Sequence, residues 1–106
     1  MRMDKKASEI ITDVAAEIEA ELNKQASAYP NQTIPNRIRF LAAQLSGYDH
    51  YAAEKAYQIA GLAAIFYSDR KHTKYPGGSN AIWYEMTFDL LGRIKSQART
   101  RKEHEK

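Results

Sequence analysis

The chain contains no cysteine, and it has only three prolines and five glycines among its 106 residues. The absence of cysteine excludes disulfides, cysteine nucleophiles, iron–sulfur clusters and cysteine-ligated zinc. Because prolines and glycines are confined to a few clusters, a sandwich or barrel with many turns is not expected. With 43% hydrophobic and 27% charged residues, a chain of this length can bury one core, which predicts a single domain over residues 1–106.

Long apolar runs are missing as well. The longest near-apolar run covers residues 59–67, which is far shorter than the about 20 residues that a helix needs to cross a bilayer core. The N-terminus is charged, and no apolar stretch of the kind found in signal peptides follows it. These absences predict a soluble, cytoplasmic protein that does not enter a membrane.

Apolar residues recur at three- and four-residue steps, which is typical of amphipathic helices. They predict helices over residues 4–27, 35–46, 50–72 and 80–101, with residues 102–106 frayed. The third helix is rich in alanine and nearly apolar all round, which places it at the centre of the fold. The fold class is therefore all-α, a small four-helix bundle with a central alanine-rich third helix. The residues expected to be buried in that helix are Ile59, Leu62, Ala63 and Phe66.

Short polar side chains mark the predicted helix starts, because they accept hydrogen bonds from free backbone N–H groups. Asp49 is expected to cap the third helix, and Ser79 or Asn80 the fourth. For the first helix the candidate caps are Asp4 and Ser8.

Charge is unevenly spread, although the net charge is only +3. Residues 1–30 carry six acidic and four basic side chains, whereas residues 31–106 carry seven acidic and twelve basic ones. The first helix has an acidic row at four-residue steps, formed by Glu9, Asp13, Glu17 and Glu21. Like charges at this spacing destabilise a helix unless a cation lies nearby. We expect that cation to come from Arg37 and Arg39, from the basic C-terminal stretch, or from a second subunit, and we favour a homodimer over a monomer.

The segment between the third and fourth helices is the main candidate binding site. Residues 70–80 combine basic side chains, a histidine and two glycines directly before a helix N-terminus. Free N–H groups and the helix dipole favour anions there, and glycine lets an anion approach the backbone. We predict an anion or phosphate site, with Tyr75 available to stack on a base; the alternative is a solvated connector. The candidate residues are Arg70, Lys71, His72, Lys74, Tyr75, Gly77, Gly78 and Ser79.

Basic residues also dominate the end of the fourth helix. They are Arg93, Lys95, Arg99, Arg101 and Lys102. On this pattern Arg93 and Arg99 are candidate partner contacts, since a row of cations can lie along a phosphate backbone. The alternative is a solvated helix end whose charges complement the helix dipole.

Catalytic patterns are weak. His50 and Glu54 are four residues apart on the third helix, as are Glu85 and Asp89 on the fourth, and two such pairs facing each other would suit a divalent metal. The Glu-x-x-Glu and Glu-x-x-Asp spacing of all-α nucleotide pyrophosphohydrolases is absent. A metal-dependent all-α nucleotide hydrolase is therefore an alternative hypothesis, and the leading one assigns no catalytic residue, metal or cofactor.

The second and third helices have the outline of a helix-turn-helix. Ala43 and Gly47 stand four residues apart as that motif prefers, and Gly47 is expected to end the second helix in the left-handed conformation. The residues that would read DNA, between positions 49 and 55, are acidic to neutral, whereas reading helices usually offer Arg, Lys, Asn or Gln. DNA binding of this kind is a second alternative.

The leading hypothesis is a non-enzymatic binding protein. The basic, aromatic surface formed by the end of the third helix, residues 70–80 and the fourth helix would engage one partner. That partner is a protein machine or a phosphate-bearing ligand such as a nucleic acid or nucleotide. In size and composition the chain resembles phage-encoded inhibitors of bacterial defence and bacteriocin immunity proteins, which implies an inhibitory or sequestering role for a phage or mobile element.

Overall fold

The computed structural model describes residues 6–24, 32–68 and 75–105, and in these ranges the backbone forms four helices and no strand. The first three helices are α1 (Ala7–Leu22), α2 (Thr33–Leu45) and α3 (His50–Phe66). The fourth, α4, runs without a break through α-helical Gly78–Tyr84, π-helical Glu85–Leu90 and α-helical Leu91–Glu103. The predicted all-α four-helix bundle is confirmed.

The helices pack in a ring of four. α1 lies against α2 on one side and against the C-terminal stretch of α4 on the other. α3 lies against α2 and against all three stretches of α4. The aliphatic side chains that meet in the middle are almost fully buried and include Ile11, Ile18, Ile38, Leu41, Leu45, Ile59, Ile82, Met86 and Ile94. Burial of such side chains from all four helices is the main stabilising contribution in a bundle of this kind.

α3 owes its position to small side chains. Its buried face consists of Ile59 and five alanines, so α2 and α4 can approach it closely. The prediction that Ile59 and Ala63 are buried is confirmed, whereas Leu62 and Phe66 are only half-buried. Gly61 lies on the exposed side of the helix.

Two of the predicted caps can be compared with the structure at the starts of α1 and α3. The Asp49 side chain accepts a hydrogen bond of 2.7 Å from the Ala52 N–H, so the predicted cap of α3 is confirmed. Ser8 is wrong as the cap of α1, because it lies inside the helix. At that end the Glu9 carboxylate accepts a 3.0 Å hydrogen bond from the Lys6 N–H. The other candidate, Asp4, lies outside the described residues.

Glycines behave differently from the prediction at two helix ends. α4 begins at Gly78 with Gly77 as its cap, so Ser79 and Asn80 lie inside the helix and are not caps. Gly47 does not have a positive φ, and the only described residues that do are Gly77 and Gly78. α2 ends instead because the Tyr48 and Asp49 N–H groups each donate to the Leu45 carbonyl at 2.9 Å.

The ends of α1 and α3 come earlier than the sequence pattern indicates. α1 stops at Leu22 rather than at residue 27, and α3 stops at Phe66 rather than at residue 72. Beyond α3, the Ser68 hydroxyl donates to the Ile65 carbonyl at 2.6 Å and satisfies an acceptor that a longer helix would use. Side-chain hydrogen bonding by Ser68 thus accompanies the end of α3.

The π-helical stretch keeps most buried side chains of α4 on one face. Five of the six, Ile82, Met86, Leu90, Ile94 and Ala98, recur every four residues, and Leu91 is the sixth. In an α-helix of 3.6 residues per turn, a four-residue step drifts by about 40° each time. The wider turn of the π-helix removes most of this drift, because its hydrogen bonds span one residue more. All five side chains therefore stay on the face that meets the other helices.

The C-terminal end of the chain contacts α1. α4 continues to Glu103, two residues beyond its predicted end, and the Glu105 carboxylate accepts a 3.0 Å hydrogen bond from the Ser8 N–H. The predicted fraying of residues 102–106 concerns motion and stays a prediction. None of the described helices is long and apolar enough to cross a membrane.

Candidate functional site

Two stacked aromatic rings stand on the outer side of α4. Tyr84 and Phe88 are 60% and 69% exposed, the highest values among the large hydrophobic side chains of the described residues. Their ring centroids lie 4.9 Å apart and their planes are 12° from parallel. We call these two residues the aromatic pair. The pair presents to water a continuous apolar area that the bundle does not cover, and such areas mark interaction sites on small proteins.

The position of the aromatic pair follows from the inward face of α4. Ile82 and Met86 point into the core, and each member of the pair comes two residues after one of them. Two residues correspond to about half a helical turn, so the rings project away from the core. The sequence pattern contained this signal, because Tyr84 and Phe88 are four residues apart and out of phase with the buried stripe. Sequence reasoning assigned the surface to α4 without naming either ring.

Tyr75, predicted to stack on a base, is held against α4. Its half-buried ring packs on the core, and its hydroxyl donates a 2.9 Å hydrogen bond to the Glu85 carboxylate. This hydrogen bond, with some burial, raises the pKa of Tyr75 above its ordinary value. This hydrogen bond therefore holds the turn before α4 against the first residue of the π-helical stretch.

The two glycines of the predicted phosphate site have a structural role in the turn before α4. Gly77 and Gly78 have φ values of 87° and 73°, a region that glycine enters without steric cost. The Gly78 N–H donates to the Tyr75 carbonyl at 2.8 Å. A Cβ on Gly77 would lie 2.6 Å from the Cβ of Ala81. The turn itself therefore requires glycine, whether or not an anion binds there.

The structure describes only one of the other residues of the predicted site. Ser79 is half-buried in the first turn of α4. Arg70, Lys71, His72 and Lys74 lie outside the described residues.

Three of the five bases in the C-terminal stretch of α4 have an acidic partner within the chain. Lys95 pairs with Glu19 at 3.1 Å, and Arg101 pairs with Asp49 at 2.7 Å. Arg93 pairs with Asp89 at 2.8 Å. The remaining two, Arg99 and Lys102, make no ion pair or hydrogen bond with another residue of the described ranges. Much of the positive charge predicted to meet a phosphate backbone is therefore paired with carboxylates of the same chain.

The pKa of Arg93 lies above its ordinary value. The first cause is the hydrogen bond to Asp89, and the Tyr51 hydroxyl of α3 raises the pKa further. Arg93 is thus held at the surface by Asp89, near the C-terminal end of the π-helical stretch.

The acidic row of α1 also finds its cations within the chain. Glu17 pairs with Arg37 of α2 at 3.2 Å, and Glu21 pairs with Lys24 at 2.8 Å. Arg37 is one of the partners expected from the sequence, whereas the other, Arg39, donates to the Asn36 side chain at 2.6 Å. Two of the four carboxylates of the row are therefore paired with cations of the same chain.

The structure bears differently on the two alternative sites. Within residues 6–24, 32–68 and 75–105, no three His, Asp or Glu side chains lie close enough to hold a metal ion, so the predicted quartet of His50, Glu54, Glu85 and Asp89 does not form a centre. Of the residues that would read DNA, Asp49 is buried against α4, whereas His50, Tyr51 and Glu54 are exposed. DNA binding through the start of α3 stays a prediction.

Comparison with protein-family models, with curated proteins and with solved structures finds no match to this chain.

Proposed function

We propose that the protein is a non-enzymatic binding protein that docks onto another protein through the aromatic pair of α4. The observation that carries this proposal is the exposure of two stacked rings, 60% and 69%, which is higher than that of the other exposed rings, Phe40, Tyr48, Tyr51 and Tyr57, at 38–55%. Aromatic side chains dominate binding energy at protein interfaces, because they bury a large area for little loss of conformational freedom.

The charge distribution supports a protein partner over a nucleic acid. Affinity for a nucleic acid comes mostly from cations that face phosphates. In the C-terminal stretch of α4, Arg93, Lys95 and Arg101 are each paired with a carboxylate of the same chain. An apolar surface flanked by ion pairs is typical of a protein interface with a polar rim.

The proposed mode of action is occupation of a partner's surface. In this proposal the bundle acts by covering the partner surface that the aromatic pair contacts. An inhibitory or sequestering role is consistent with the small size of the chain.

The test compares two double variants with the wild type. Tyr84→Ser with Phe88→Ser removes the aromatic pair, and Phe40→Ser with Tyr48→Ser removes a matched Phe and Tyr elsewhere, which are 55% and 47% exposed. Tagged proteins are used to capture partners from a nuclease-treated lysate of the native host, and the captured partner is then titrated in purified form. We expect the first variant to weaken binding by at least about tenfold and the second to leave it unchanged.

Two results would overturn the proposal. One is a partner that binds the Tyr84→Ser, Phe88→Ser variant as tightly as the wild type. The other is binding that disappears with nuclease and reappears with a labelled single-stranded oligonucleotide, which would assign the surface to nucleic acid. All four positions are exposed, so matching thermal unfolding curves control for misfolding.

A further inference from the structure

A groove with a volume of about 960 Å³ runs between α1 and the C-terminal stretch of α4. Small side chains line its floor, among them Ala15, Ala16 and Ala98. It is separate from the aromatic pair, neither member of which lines it. The α3 helix is not among its walls, so one face of the bundle formed by two helices is left open.

The two walls of the groove carry opposite charges. Glu9, Asp13 and Glu19 stand on the α1 side, and Lys95, Arg99 and Lys102 stand on the α4 side. With Lys6 and Glu105 at one end, the lining contains four acidic and four basic side chains. This face is therefore neutral, although the whole chain has a net charge of +3. A neutral face is one on which two positively charged chains can meet without mutual repulsion.

The contacts across the groove fix which charged residues of α1 and α4 lie at the same level, that is, at the same height along the helix axes. α1 and α4 run antiparallel, because Ser8 bonds to Glu105 at one end and Glu19 pairs with Lys95 further along. Asp13 lies between these contacts on α1, and Arg99 and Lys102 lie between them on α4. The basic pair is available for a new partner, since neither residue makes an ion pair or hydrogen bond with another described residue.

We propose that this groove is the contact surface of a homodimer whose twofold axis runs along the groove. Rotation about that axis places α1 of one copy over the C-terminal stretch of α4 of the other, and it keeps each residue at its own level. Asp13 of each copy then faces Arg99 and Lys102 of the second copy. An axis across the groove would place α1 on α1, with like charges opposed, and is disfavoured for that reason.

Other occupants fit this surface less well. A nucleic acid or an anionic membrane would meet no net positive charge on this face, because the four carboxylates of the lining offset its four basic side chains. A second copy supplies opposite charges to both walls at once, and the alanine floor lets its helices approach closely. The inference does not depend on the proposed function, because it uses a different face of the bundle.

The decisive experiment is a charge swap, read out as molar mass by sedimentation equilibrium at micromolar concentration. The wild type is expected to have the mass of two chains. Asp13→Lys alone, and Arg99→Glu with Lys102→Glu alone, are each expected to weaken self-association by at least about tenfold, because both symmetric contacts become repulsive. An equimolar mixture is expected to dimerise again. In the mixed dimer one contact has both its charges reversed, and the other has the native charges.

A steric variant tests the groove independently of charge. Ala16→Arg places a long side chain in the groove at an exposed position of α1, and Ala43→Arg places the same side chain at an exposed position of α2. We expect monomers from the first and dimers from the second. A wild type that stays monomeric throughout the micromolar range, or a mixture of the charge variants that fails to dimerise although both are folded by circular dichroism, would overturn the proposal.

Discussion

Asp49 and Arg101 connect the start of α3 to the last turns of α4 through a 2.7 Å hydrogen bond from Nε to the carboxylate. The same carboxylate, whose side chain is 2% exposed, accepts hydrogen bonds from the Ala52 N–H and from the Gln97 amide. Burial by itself raises the pKa of Asp49, but these hydrogen bonds and the Arg101 charge outweigh burial and lower the pKa below 3.8. One side chain thus caps a helix and joins two helices.

The first prediction concerns this carboxylate. Asp49→Asn is expected to lower the free energy of unfolding at neutral pH by about 1–3 kcal/mol, because a cap and a charge-assisted hydrogen bond are weakened. Since the folded-state pKa is below 3.8, this contribution is fully present above pH 3.8 and is lost as the pH falls through the folded-state value. The difference between wild type and variant should therefore shrink below pH 3.8.

Urea unfolding at a series of pH values measures this difference. Asp89→Asn is the control, because Asp89 pairs with Arg93 at the surface and is expected to contribute little. An Asp49→Asn variant as stable as the wild type at neutral pH would contradict the assigned role of the carboxylate.

The contacts of Asp49 also show which features can be predicted from the sequence and which cannot. The cap was predictable, because it depends on residues three positions apart in one helix. The hydrogen bonds from Gln97 and Arg101 were not, since they join residues 48 and 52 positions apart, and only the packing of α3 on α4 brings them together. The same distinction applies to the C-terminal stretch of α4. From the sequence its basic side chains were expected to be available to a partner, whereas most of them form ion pairs in the fold.

The second prediction compares two positions of α3. Ile59 is completely buried, and Ile59→Ala is expected to cost about 2–5 kcal/mol of unfolding free energy. Phe66 was expected from the sequence to be buried, but it is half-buried, with its ring centroid 5.0 Å from that of Tyr67 and 5.3 Å from that of Trp83. Phe66→Ala is therefore expected to cost about 1–3 kcal/mol, from partial burial and lost ring contacts.

Urea unfolding of the two variants gives this comparison directly. A larger loss for Phe66→Ala than for Ile59→Ala would show that the ring is more deeply packed than its exposure indicates.

The third prediction concerns the turn before α4. Gly77→Ala is expected to cost about 1–3 kcal/mol, because the position has a φ of 87° and the added Cβ meets the Cβ of Ala81. Gly61→Ala is the matched control. It lies in an exposed part of α3 with no atom within 4 Å of the added Cβ, so it is expected to stabilise the helix by about 1 kcal/mol. Thermal unfolding should shift in opposite directions for the two variants, and shifts of the same sign would contradict the assigned geometry.

The π-helical stretch of α4 was not predictable from the spacing of its apolar residues, because Val14, Ile18 and Leu22 are buried at the same four-residue spacing in the purely α-helical α1. The glycine cap at Gly77 was missed for a different reason, because Ser79 and Asn80 are stronger cap formers by residue type. The positive φ of the turn, a property of the chain path, excludes them from that role.

The last prediction returns to the basic segment before α4. Lys71 and Lys74 precede the aromatic pair in the chain, and we expect their charges to steer an acidic partner toward the pair. Lys71→Glu with Lys74→Glu is expected to weaken binding of the captured partner by about tenfold and to leave the melting temperature almost unchanged, since exposed charges contribute little to stability. The control is Arg39→Glu with Lys55→Glu, which changes the net charge equally at positions on α2 and α3.

Salt then separates two explanations for this loss. Raising the salt from about 0.1 M to about 1 M shortens the Debye length from about 10 Å to about 3 Å, which removes steering but leaves apolar contacts intact. We expect high salt to lower the affinity of the wild-type complex by no more than the charge reversal does. The remaining affinity is expected to come from the aromatic pair. Complete dissociation with salt would favour a phosphate-bearing partner, because release of counterions from phosphates has a steep salt dependence. Equal losses from both double variants would show that net charge is responsible and would remove residues 70–80 from the binding surface.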